Sequence, residues 1–332
     1  MLNVLVSLLP IFLFLAALIF LDSYKLVRLR SVLLTIGMGC IIALFSFYIS
    51  TFIIDKLRMD IPFYRRYPGP CVEEILKASF LVYFIKSKKI GFMVDAAIYG
   101  FAIGAGFAFA ENVYYLWTLH EHNLLLWIIR GCGTAMMHGG ATAIVSIIAR
   151  YLLDRYPSNT LKIFLPGVLL AIVVHSFFNH FILHPVTSTV LILLILPAMM
   201  VIIFKHSEES TRSWLGKGLD SDLELIHLIM SGNLSESRIG QYLQTLKAKF
   251  PAEVIGDMLC LIRIHTELSM RAKGMLLMRE AGFDAPIDQE IQEKFDELRY
   301  LDKRVGRTGK LAISPILHKS SRSDWQLHLL QK

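Results

Sequence analysis

The chain has 332 residues, 55% apolar and 18% charged, with a mean hydropathy of +0.53, which excludes an ordinary soluble globular protein. Its net charge of +7 is uneven: residues 1–204 hold 15 Lys and Arg against 9 Asp and Glu, residues 205–332 hold 19 against 18. The basic excess therefore sits in the apolar part, where it orients loops, and no nucleic-acid partner is expected. Cys40, Cys71, Cys132 and Cys260 are isolated, so neither a disulfide framework nor a zinc-finger spacing is present.

A helix needs roughly 20 apolar residues to cross a bilayer. On that measure spans are predicted near 2–21, 33–54, 70–85, 91–118, 124–149, 161–183 and 186–204. The expected fold is thus all-α, a polytopic membrane helix bundle of about seven spans over residues 1–204, followed by a small helical cytoplasmic domain over 205–332. The first span begins right after Met1, with no basic stretch before it, and reads as uncleaved. With the N-terminus outside, the inner loops hold nine cations: Lys25, Arg28, Arg30, Lys86, Lys88, Lys89, Arg150, Arg155 and Lys162. The outer loops hold four, Lys56, Arg58, Arg65 and Arg66, so the positive-inside rule favours N-out and C-in.

The third span is short and opens with Glu73, Glu74 and Lys77. Ionisable groups at membrane depth are expensive and mark functional sites by default. Others follow: Asp95 and Glu111 in span four, Arg130 and His138 in span five, His175, Asn179 and His180 in span six. At about 1.5 Å per residue, Glu73, Glu74, Lys77, Glu111, His138 and His175 fall at compatible depth in the outer half of the bilayer. Glu111 lies among Gly104, Gly106, Ala108 and Ala110, and His138 precedes Gly139 and Gly140, small residues that allow close helix approach. His175 and Asn179, four apart, share a helix face.

Two histidines and a glutamate form a catalytic zinc shell that leaves a position open for water. Glu111, His138 and His175 are the expected ligands, with Glu73 or Glu74 as general base. Adjacent helical residues differ by about 100° in direction, so the two glutamates have different tasks, and Lys77 can pair with either. Asp95 and Arg130 have a simpler reading as interfacial ion pairs, and His120, His122 and His184 fall in turns.

After His206 the hydropathy drops. Ser235 is a candidate cap for a helix to about Phe250, Pro251 for one ending before Gly282, and Pro286 for one ending near Gly306. Val254, Met258, Leu261 and Ile262 recur at helical spacing. The end of the chain reads as basic and loosely structured, and the tail carries no catalytic constellation.

The order EExxK (Glu73, Glu74, Lys77), FxxxEN (Phe107, Glu111, Asn112), His138 and HxxxN (His175, Asn179) resembles the PrsW family of intramembrane metalloproteases. It is similar, more distantly, to the CAAX prenyl protease and bacteriocin-processing superfamily. The resemblance covers about residues 70–182. It implies a metal-dependent endopeptidase in the bacterial cytoplasmic membrane, with a divalent metal, zinc first among candidates. It also implies a membrane-anchored protein substrate, such as an anti-sigma factor, cut near the extracytoplasmic face. On this basis Glu73 leads as base, Glu74 is its neighbour, Glu111 stands where the wider superfamily has a histidine, and Asn179 is a candidate oxyanion donor. The competing readings are a proton-coupled transporter and a signalling scaffold whose tail recruits a cytosolic partner. No internal repeat favours the transporter.

Overall fold

The computed structural model describes residues 1–119, 121–156, 161–283, 289–317 and 321–330, with the side chains of 321–324 and 328 excepted. Pro286 and His120 lie outside the described residues. The described residues are helical throughout, and they divide into two compact units, Met1–Glu208 and Glu209–Lys332.

The first unit contains α1 (Leu2–Phe20), α2 (Leu29–Leu57), the short α3 (Ile61–Arg66), α4 (Pro68–Lys86), α5 (Met93–Thr118), α6 (Leu124–Ile128), α7 (Ala135–Arg155) and α8 (Leu165–Asn179), and the start of α9 (Pro185–Met230). Among the described residues, six segments are long and apolar enough to cross a membrane: α1, α2, α5, Leu124–Arg155, Leu161–Asn179 and α9. The third expected span, α4, falls short because Glu73, Glu74, Lys77 and Lys86 interrupt it. Lipid-facing character follows position. Only 22% of the apolar window of α1 and 17% of that of α9 is buried, against 83% for α5, so α5 is the axis of the bundle.

Small residues set that axis. A Cβ on Gly106 of α5 would lie 2.0 Å from the Ile36 carbonyl oxygen of α2, and one on Gly104 would lie 2.3 Å from the His138 carbonyl oxygen of α7. Helix backbones can meet this closely only where side chains are missing, and the second contact fixes His138 against the middle of α5. Asp95 starts α5: its carboxylate accepts from the Gly91 and Phe92 N–H groups at 2.8 Å, which caps the helix. Between α6 and α7 the helix widens into a π turn, Ile129–Thr134, which carries Arg130.

The second unit holds the end of α9, then α10 (Arg238–Leu246), α11 (Ala252–Glu280), α12 (Gln289–Ile313) and α13 (Ser321–Leu330). α9 continues unbroken past residue 204, where hydropathy alone suggested an end. Ser237, not Ser235, caps α10 by accepting from Gly240 N–H at 3.1 Å, since residues 233–236 form a 3₁₀ turn. Gly306, with φ of 67°, bends α12 where an end was expected, and helix resumes to Ile313. Near the end of the chain, α13 buries Trp325, Leu329 and Leu330.

Candidate metal centre

Four helices, α4, α5, α7 and α8, bring the membrane-depth groups together. Donor atoms of Glu73, His138 and His175 all lie within 4.8 Å of one another. The two imidazoles meet edge to face, with centroids 4.7 Å apart. Behind them Glu74 and Lys77 are fully buried. Lys77 Nζ donates to Glu74 Oε1 at 2.6 Å, meets His138 Nδ1 at 3.2 Å, and lies 4.8 Å from the Phe107 ring centroid. His175 Nδ1 meets the same Glu74 oxygen at 2.8 Å.

Hydrogen-bond partners assign the tautomers. Glu74 accepts from His175 Nδ1–H, which leaves the Nε2 lone pair turned to the cluster, 3.9 Å from Glu73 Oε2. This carboxylate–histidine arrangement is the outer support that metal-ligating histidines use. An ammonium can only donate, so Lys77 fills the Nδ1 lone pair of His138 and the ring proton sits on Nε2, where Glu111 Oε2 accepts it at 3.1 Å. Metal uptake through that nitrogen must displace the proton.

Glu111 is engaged at both oxygens, Oε2 by His138 and Oε1 by Arg130 Nη2 at 3.4 Å, while the donor atoms that lie with those of the two histidines are those of Glu73. Of the EExxK pair, Glu74 is sealed by Lys77 and His175, and its side chain has no exposure; that of Glu73 is 24% exposed and that of Glu111 28%. Of these carboxylates only the last two are part-exposed. The Asn179 amide donates to the Arg65 carbonyl at 2.9 Å. Ser176 Oγ donates likewise to Arg66 O at 2.5 Å, so this end of α8 holds α3. His180 packs edge-on to Tyr67.

Arg130 is the residue that the sequence undervalued. Its Nε donates to Asn112 Oδ1 at 3.0 Å, Asn112 in turn donates to Ser7 O at 2.8 Å, and the guanidinium stacks 3.8 Å from the Tyr115 centroid. Its charge inside an apolar span was the available signal, but neighbours 15 to 19 residues away along the chain could not be read from it.

The donor set suits a divalent cation: neutral imidazole nitrogen and carboxylate oxygen, half-open on one side and backed by a hydrogen-bonded shell on the other. Fold and site thus define a multi-pass helical membrane protein with a His/Glu cluster between its helices that could hold a metal ion. The family model of the PrsW family intramembrane metalloprotease matches residues 27–204, more than half of the chain and all of the cluster, and the chain belongs to that family. It is accordingly a membrane peptidase that uses a divalent metal. No curated protein and no solved structure matches the chain.

Proposed function

We propose that the chain cuts a membrane-anchored protein, such as an anti-sigma factor, near the extracytoplasmic face of a bacterial cytoplasmic membrane, with zinc as its metal. The observation that carries this reading is the convergence of Glu73, His138 and His175 donor atoms within 4.8 Å. When bound, zinc acts as a Lewis acid on the scissile carbonyl and brings the pKa of a bound water towards neutrality. Glu73, His138 and His175 would hold it. Glu111, partly exposed and charge-paired with Arg130, receives the water's proton and later delivers it to the leaving amine. Glu74 and Lys77 are positioning residues, fixing the His175 tautomer and the His138 ring. The close-packed helices α4, α5, α7 and α8 keep these groups in place before substrate arrives.

The excess of basic residues in the loops assigned to the inside supports an N-out, C-in arrangement, with residues 205–332 as a cytoplasmic domain able to recruit a cytosolic partner. Purified protein is to be assayed for bound metal and for cleavage of membrane-anchored substrates, an anti-sigma factor among them. Glu73→Gln and His175→Ala are expected to lose metal and activity together, Glu111→Gln to lose activity with metal retained. If all three fold and cleave like the parent, the site assignment is wrong. Reporters after Lys332 and within residues 55–66 should fall on opposite sides of the membrane.

A further inference from the structure

The cations of the α2–α4 connection run against the charge bias that orients the other loops, and the structure gives them a place in the site. Arg65 and Arg66 form the last turn of α3, and both side chains are exposed. Their backbone is not free to drift. Asn179 and Ser176 hold the Arg65 and Arg66 carbonyls from α8, within one turn of His175, and Tyr64 Oη donates to Ser50 Oγ at 2.9 Å on the other side.

Among the described residues no ion pair engages Arg65 or Arg66. From Tyr67, the next residue, an apolar groove of about 610 Å³ runs between α4 and α8, lined by Pro68, Cys71, Val173 and Phe177.

We propose that Arg65 and Arg66 form a cationic rim that receives acidic residues flanking the cleaved bond of a membrane-anchored substrate, and that the groove takes the apolar anchor beside them. The inference rests on the peptidase reading above and narrows its substrate class to proteins with an Asp/Glu-rich stretch next to the membrane. Glu73 and Glu111 repel such a stretch from the metal centre itself. The rim holds the acids to one side and leaves the neutral amide bond facing the cluster. A lipid headgroup needs only cations at the interface; α3 is bound to the turn of α8 next to His175, which registers the rim to the site and favours a peptide.

The test uses the full chain carrying Glu111→Gln in nanodiscs of zwitterionic lipid, so that binding is read without turnover. The probes are fluorescent membrane-anchored peptides with four Asp/Glu beside the anchor, or with Asn/Gln in their place. The acidic probe should bind about twofold to thirtyfold more tightly, the range that two exposed ion pairs supply, and the difference should shrink with salt. Arg65→Gln with Arg66→Gln should abolish the difference, the double Lys variant should keep most of it, and the double Glu variant should prefer a Lys-bearing probe. Equal binding of both probes by the native rim overturns the proposal, as does a preference that survives the Gln variant. A Gln variant that changes only the uptake of anionic lipid assigns the rim to headgroups and overturns it too. A chain that binds the acidic probe here, yet cleaves neither probe with Glu111 restored, fails the peptidase reading and not this one.

Discussion

Both units bury a lysine, and the two lysines behave differently. In the bundle, Lys77 joins Glu74 and His138, and through them His175, Glu73 and Glu111, the last two part-exposed. In the second unit, Lys273 of α11 donates to Asp222 at 2.7 Å and to the Gly218 carbonyl at 2.9 Å. Asp222 also accepts from Ser269 at 2.6 Å, and Ser269 from Gln326 of α13 at 2.9 Å. The second network ties three helices together and ends in packing. The first ends in carboxylates turned outward. A buried charge is therefore no sign of function by itself; what counts is whether its network terminates in an accessible reactive group.

That contrast can be broken by substitution. The largest effect is expected from Glu111→Gln, which should lower kcat/KM by about 10²- to 10⁴-fold with metal content unchanged, measured on a membrane-anchored substrate. Loss of metal with loss of rate would move Glu111 into the ligand set. Next is Glu74→Gln, which removes the shared acceptor of Lys77 and His175; metal affinity should fall about 10- to 100-fold by competition with a chelating dye. An unchanged affinity would make Glu74 a packing residue, like its counterparts in the second unit.

Lys273→Met is the control from that unit. It should leave metal affinity and cleavage unchanged and destabilise the second unit by about 1–3 kcal/mol, as an unpaired Asp222 is left behind, read from its unfolding transition. Reduced metal binding in this variant would erase the distinction between the networks.

The smallest effect concerns Asp22, in the connection between α1 and α2, where burial and the nearby Asp95 push the carboxyl up to about 7 from an ordinary 3.8. Between those values the folded chain keeps a proton that the unfolded chain releases, so stability falls as pH rises from about 4 to 7 and then levels. Asp22→Asn can still accept from Val27 N–H and removes the charge, so it should raise the melting temperature at pH 8 more than at pH 5. Equal shifts at both pH values would show that Asp22 does not titrate in this way.

The sequence by itself determined the all-α membrane class, the helices that carry the ionisable groups and the family resemblance, because apolar length and charge at membrane depth are local properties of the chain. It also grouped Glu73, Glu74, Lys77, Glu111, His138 and His175, since alternating helices of known rise fix depth. Depth leaves rotation and lateral placement open. Which glutamate of the pair is sealed and which is exposed follows from the rotation of α4 against α7 and α8. That Asn179 grips α3 follows from where the Arg65 carbonyl comes to rest. That Glu111 pairs with Arg130 follows from the π turn that carries Arg130, which has no simple periodicity in the sequence. Those choices are made by contacts between residues distant along the chain, and only the tertiary structure decided them.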